Sequence, residues 1–122
     1  MEVTERSVSL SVPARADYLV LARLALSAVC RLTELRPDDV ADLKLAITEA
    51  ATGFVTDGDE RLAFEFEIDD SGLSILVESS TPAGERGGDE ELSRAIVAAT
   101  VDDYEFEDRS VRLRKYLDSG PE

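Results

Sequence analysis

Hydrophobic residues recur along this chain with two different periods, and the change of period separates predicted strands from predicted helices. In five stretches apolar residues alternate with polar ones, which is the pattern of a strand with one buried face. These stretches are residues 7–13, 62–68, 73–77, 104–106 and 111–117. The turn at residues 69–72 joins the second and third stretches, so they predict a hairpin, and one face of this hairpin is acidic.

Two longer stretches predict the first two helices. Residues 16–32 are apolar almost all round, and the charge in their middle is Arg23, which is either a partner-binding residue or an ordinary side chain reaching solvent. Residues 38–55 follow Pro37 and begin with two aspartates, which suit a helix N-terminus. The core face of this second helix is predicted to hold Val40, Leu43, Ile47, Ala50 and Phe54.

A third helix is predicted over residues 90–101, with Asp89 as its N-cap. Its inner face is expected to consist of Leu92, Ala95, Ile96 and Ala99. Antiparallel hairpins covered on one side by helices form a two-layer α+β sandwich, and the order of elements predicts this fold class with a mainly antiparallel sheet. The length suits one domain, residues 1–122, of which 118–122 read as a flexible polar tail.

A second stripe lies beside the core face of the middle helix and consists of Asp42, Ala46, Glu49 and Gly53. Because Glu49 lies between apolar neighbours and one turn before a glycine, the stripe predicts the floor of a pocket. The alternative has equal weight: Glu49 is a charge on the flank of an ordinary helix, and Gly53 is a weak position near its end.

Composition restricts the chemistry. The net charge of −14, from 27 acidic and 13 basic residues, argues against direct binding to nucleic acid or to an anionic membrane. It favours a basic protein partner, although acidity also serves solubility. A single cysteine, Cys30, and the lack of histidine exclude an intramolecular disulfide, a His/Cys metal site and histidine-based catalysis. No apolar run is long enough for a membrane span and no signal peptide is recognisable, so a cytoplasmic location is expected.

Residues 42–53, Asp-Leu-Lys-Leu-Ala-Ile-Thr-Glu-Ala-Ala-Thr-Gly, resemble the helix motif of the anti-sigma factor serine/threonine kinases, a family of the histidine-kinase-like ATPase superfamily. Residues 8–14, 101–106 and 110–117 add to the similarity, which spans nearly the whole chain. The resemblance implies the histidine-kinase-like ATPase fold.

The resemblance also implies a role for each matching position. Glu49 matches the base for phosphoryl transfer, and Gly53 matches an asparagine that holds magnesium, for which glycine offers no ligand. Ser79, Thr81 and Ala83 match an Asp-x-Gly-x-Gly element that binds ATP, and they lack its carboxylate and its glycines. The family uses ATP and magnesium. Because these positions have lost their ligands here, this chain is expected to have a degraded nucleotide site that binds no cofactor and no metal.

The glycine-rich loop at residues 81–88 does not replace the lost site, because it is short and is followed by acidic residues that repel phosphate. The resemblance implies that Arg23 and the first helix bind a sigma factor or an anti-anti-sigma antagonist, and that the chain forms a homodimer. We therefore expect an anti-sigma-like regulatory protein without kinase activity. Two alternatives stay open: an ATP-dependent serine kinase with a rearranged site, and a domain that only pairs with an active paralogue.

Overall fold

Three helices and six strands make up the part of the chain that the computed structural model describes, which is residues 2–3, 6–56, 58–81 and 90–117. The elements in order are β1 (Glu2–Val3), β2 (Ser7–Pro13), a short 3-10 helix (Ala16–Tyr18), α1 (Leu19–Cys30), α2 (Pro37–Thr52), β3 (Arg61–Asp69), β4 (Gly72–Ser79), α3 (Glu90–Thr100), β5 (Asp103–Phe106) and β6 (Ser110–Tyr116). All five strands that the alternation predicts are present. The strand β1 has no counterpart in the sequence prediction.

The strands form one sheet in the order β1-β2-β3-β4-β6-β5, and every neighbouring pair is antiparallel. Phe64 of β3 lies opposite Leu10 of β2 and Val77 of β4, so the apolar residues of adjacent strands share one face. The helices pack against that face. The predicted two-layer α+β sandwich is therefore confirmed, and it is the fold of the histidine-kinase-like ATPases.

The core lies between the helices and the sheet, and α2 contributes the face that its sequence predicts. Leu43, Ile47, Ala50 and Phe54 are at most 1% exposed, and Val40 packs against the same cluster while partly exposed. The N-terminus of α2 also follows the prediction, since Pro37 opens the helix and the Asp39 carboxylate accepts a hydrogen bond from the Arg36 backbone N–H at 3.3 Å.

The predicted inner face of α3 is wrong. Leu92 is 59% exposed, Ala95 and Ala99 are also exposed, and Ile96 is half-buried. The structure instead buries Ser93, Val97 and Thr100. Two of these three residues are polar, and burial is possible because both hydroxyls have partners: the Thr100 hydroxyl donates to carbonyl oxygens of its own helix, and the Ser93 hydroxyl donates to a carboxylate of α2.

The helix α2 is the middle element of the helical layer, because it contacts both α1 and α3. Lys115 of β6 fixes it over the sheet. The Lys115 ammonium lies 3.7 Å from a carboxylate oxygen of Asp39 and 3.8 Å from one of Asp42, and it donates to the carbonyl oxygen of Thr100. Since the Lys115 side chain is only 12% exposed, these three oxygen partners replace the water that its charge has lost.

Candidate functional site

Glu49 lies on the side of α2 that faces α3. The Ser93 hydroxyl donates a hydrogen bond to the Glu49 carboxylate at 2.9 Å, and Ser93 is 9% exposed while Glu49 is half-buried. Sequence reasoning missed Ser93. The signal that points to it is the spacing of Ser93, Val97 and Thr100, which places these small residues on one side of a helix at intervals of four and three.

Gly53 lies directly after the last residue of α2 and has φ −65° and ψ −16°, which is the ordinary right-handed helical conformation. Any L-amino acid adopts this conformation without strain. The backbone therefore does not require glycine at this position, in contrast to Gly72 in the β3–β4 turn, whose φ is +156°.

Ser79 and Thr81 lie at the end of β4, beyond the strand's pairing with β6. Ser79 is buried, and its hydroxyl oxygen accepts a hydrogen bond from the Thr81 backbone N–H at 3.1 Å. The Ser79 N–H donates to the carbonyl oxygen of Arg109, so both polar groups of this residue serve the local turn. Ala83, the glycines at 84, 87 and 88, and the predicted N-cap Asp89 lie outside the described residues.

Arg23 lies on the other side of α2 from Glu49. Its guanidinium donates to the Thr48 hydroxyl at 3.3 Å, and that hydroxyl donates in turn to the Lys44 carbonyl oxygen at 2.8 Å. The half-buried Arg23 is therefore held across the boundary between α1 and α2. The structure does not bring Arg23 and Glu49 into one site.

The helix α1 buries one side and exposes the other, although its sequence is apolar almost all round. Its inner side contributes six buried residues: Leu19, Ala22, Ala25, Leu26, Val29 and Cys30. Its outer side, which we call the α1 face, consists of Val20, Leu21 and Leu24, and Leu24 is 61% exposed. Exposed apolar residues grouped in this way are typical of a protein interaction surface.

The described residues contain no group of three or more histidine, cysteine, aspartate or glutamate side chains suited to hold a metal ion. Cys30, the sole cysteine, is buried beneath the α1–α2 boundary, and burial raises the pKa of its thiol to about 11, against a smaller lowering by the nearby Lys44 charge. The thiol is therefore protonated at neutral pH and is a poor nucleophile. No helix in the described ranges combines the length and apolarity needed to cross a membrane.

The two-layer sandwich, with Glu49 on its middle helix, agrees with the histidine-kinase-like ATPase fold that the resemblance implies. Comparison with known proteins shows which proteins the chain is similar to. A serine-protein kinase RsbW of Bacillus cereus is 31% identical over 74 residues, which are 57% of this chain and 46% of the relative. Enzymes of the same name from Bacillus thuringiensis and Bacillus anthracis are 30% identical over 74 residues. No family model matches the chain.

The chain spans about half the length of the curated relatives that it matches. The identities confirm the resemblance that the helix motif indicates, since over 74 residues the chain is similar to serine-protein kinases named RsbW.

Proposed function

We propose that this protein is an anti-sigma-like regulator of transcription, which binds a sigma factor, an anti-anti-sigma antagonist or both, without ATP hydrolysis or kinase activity. The observation that carries the proposal is the α1 face, three exposed apolar residues beside an arginine that Thr48 holds in place. Apolar anchors around an oriented guanidinium are typical of the centre of a protein interface.

The charge of the chain supports the choice of partner. The outer face of the sheet carries exposed carboxylates at Glu65, Glu67 and Glu78, and the whole chain has a net charge of −14. DNA-binding proteins such as sigma factors carry basic regions, so opposite charges favour encounter between them and this protein. The same charge disfavours direct contact with nucleic acid.

The residues at the nucleotide-binding positions support a protein without phosphoryl transfer. Gly53 offers no oxygen ligand for magnesium, and the Ser79 hydroxyl is buried and already accepts a hydrogen bond. Glu49 accepts a hydrogen bond from Ser93. These residues do not fit ATP with magnesium, because phosphoryl transfer depends on metal and cationic charge placed around the phosphates.

The proposal is tested by binding assays with sigma factors and anti-anti-sigma proteins from the source organism. Arg23→Glu is expected to weaken binding at least about tenfold, since it places a carboxylate at the centre of the interface. Arg109→Glu is the matched control, because Arg109 is exposed in the turn before β6 and does not belong to the α1 face. If no protein of either class binds, or if Arg23→Glu binds as well as the unaltered chain, the proposal is wrong.

A second candidate function is an ATP-dependent serine protein kinase with a rearranged nucleotide site. It is favoured by the printed name of the relatives and by the presence of Glu49 on the middle helix. Isothermal titration calorimetry with ATP and magnesium distinguishes the two functions. Heat that saturates at millimolar nucleotide, and that Glu49→Gln or added Mg²⁺ alters, supports the kinase, whereas no heat rejects it.

Three further properties belong to the same proposal. Residues 1–122 form one domain, the protein is cytoplasmic, and it forms a homodimer, which the resemblance implies and for which the α1 face offers apolar surface. Light scattering coupled to size-exclusion chromatography measures the mass directly. A monomer mass at about 100 µM protein would contradict the homodimer.

A further inference from the structure

A groove runs between α1 and α2 on the surface of the helical layer. It has a volume of about 490 Å³ and is lined by Ser27, Cys30, Arg31, Val40, Ala41 and Lys44. We call it the cationic groove. Because α1 and α2 are antiparallel neighbours, Arg31 and Lys44 reach it from opposite walls, and Cys30 lies buried at its base.

Arg31 and Lys44 in the groove, and Arg23 one to two turns away on α1, have no carboxylate partner among the described residues. Within the described ranges, no ion pair shorter than 4 Å joins Arg23, Arg31 or Lys44 to an acidic side chain, although the chain has 27 acidic residues. Four cations elsewhere have such a partner: Arg6, Arg94, Arg114 and Lys115. The groove thus presents two cations without an ion-pair partner in the described ranges, on a protein that is acidic as a whole.

The spacing of these charges matches a helical ligand. Arg23 and Arg31 are eight residues apart on α1, which corresponds to roughly 12 Å along the helix axis. Lys44 lines the opposite wall and lies one turn before Thr48, the hydrogen-bond partner of Arg23. Carboxylates placed one and two turns apart on a bound helix therefore meet successive cations. Leu24 on α1 and Leu45 on α2, which is 47% exposed, supply apolar contacts beside the charges.

We propose that the cationic groove binds an amphipathic helix of a protein partner, with carboxylates directed at Arg31 and Lys44 and apolar side chains placed against Leu24 and Leu45. The helix-in-groove mode uses this combination of apolar anchors and flanking charges. A second copy of this chain is a poor occupant, because a two-fold contact centred on the groove brings the same cations face to face.

This proposal rests on the proposed function only in placing a regulatory partner on the α1 side of the molecule. It adds that the partner segment that contacts the groove is both acidic and apolar. The outer face of the sheet is acidic and therefore suits a different segment, such as the basic regions of a sigma factor. The two surfaces lie on opposite layers of the sandwich, so one partner with both kinds of segment, or two partners, can engage them.

The probe is a synthetic amphipathic peptide of about 18 residues, labelled with fluorescein, with glutamates at intervals of four on one side and leucines on the adjoining side. Binding is measured by fluorescence anisotropy at low and high salt, and mapped by backbone amide shifts in NMR spectra of the full chain. The double variant Arg31→Glu with Lys44→Glu is expected to weaken binding at least about tenfold. The control is the double variant Arg109→Glu with Arg112→Glu, which changes the net charge by the same amount at residues on the sheet. It is expected to weaken peptide binding less than about threefold.

Several outcomes overturn the proposal: no binding of the peptide, equal binding to the groove variant, equal binding of a peptide with lysine in place of glutamate, or shifts confined to the sheet. Shifts at the groove that depend on protein concentration without peptide assign it to a second copy instead. If sigma factor binds but peptide does not, the proposed function stands and this inference fails. Peptide binding without any sigma factor or antagonist binding gives the reverse result.

Discussion

The hydrogen bond between Ser93 and Glu49 provides a direct test of how α3 is held on α2. Replacing Ser93 by alanine removes the donor and leaves the half-buried Glu49 carboxylate without this partner. A hydrogen bond to a charged acceptor contributes about 1.5–3 kcal/mol when well buried, and partial exposure of Glu49 lowers that figure. We therefore expect Ser93→Ala to reduce the free energy of unfolding by about 1 kcal/mol.

A double-mutant cycle separates this bond from other effects of the two substitutions. Ser93→Ala, Glu49→Ala and the double variant are unfolded with urea at pH 7 and followed by circular dichroism. The two side chains touch, so their effects should not add, and the coupling free energy should be about 1 kcal/mol. Thr52→Ala is the control, because its exposed hydroxyl only donates to a carbonyl of its own helix. A coupling free energy below about 0.3 kcal/mol would show that packing of Val97 and its neighbours, and not this bond, holds α3 on α2.

Three further predictions concern other parts of the fold. Asp69 accepts hydrogen bonds from Arg114 and from the Ser71 backbone, and these bonds lower the pKa of its carboxyl below 3.8. The stabilising effect of the carboxylate is therefore present above pH 3.8 and is lost as the pH falls below that value. The difference in unfolding free energy between the unaltered chain and Asp69→Asn should shrink on acidification, and a difference unchanged between pH 6 and pH 3 would refute this. Gly72→Ala should lower the free energy of unfolding in urea by about 2–4 kcal/mol, because a Cβ there would lie 2.1 Å from the Lys115 carbonyl oxygen. Gly58→Ala is the control and should lower it less, because a Cβ at that position meets only the flexible side chain of Glu60. Cys30 should react with a thiol reagent in urea but only slowly in native buffer at pH 7.5, because its thiol is buried and has a raised pKa of about 11. Rapid labelling of the native protein would contradict the position of Cys30 under the groove.

The features that the sequence predicts correctly are those that one periodic pattern determines. The core face of α2 follows from apolar residues at a helical period, and the β3–β4 hairpin follows from alternation around the Asp69–Gly72 turn. The face of α3 fails for the opposite reason. Hydropathy assigns Ser93 and Thr100 to solvent. Burial of Ser93 is favourable because the tertiary fold places the Glu49 carboxylate beside it, whereas the Thr100 hydroxyl donates to carbonyl oxygens of its own helix.

The candidate site divides in the same way. The helix motif places Glu49 on α2 and Gly53 at its C-terminal end, and the apolar pattern singles out Arg23 on α1, both from local sequence. Which side of α2 each residue faces depends on how the three helices pack together. The Arg23–Thr48 and Glu49–Ser93 hydrogen bonds join residues 25 and 44 positions apart, so no local pattern contains them.

Gly53 and Gly72 differ in whether the fold requires a glycine at that position. The backbone at Gly72 admits almost no other residue, so its glycine reports a demand of the fold. The backbone at Gly53 has the dihedral angles of an ordinary helical residue, so a side chain there requires no change of the backbone. Substitution at this position can proceed in either direction over evolutionary time at little cost to folding. Among related chains, the identity of residue 53 should therefore follow the presence or absence of nucleotide chemistry and not the stability of the domain.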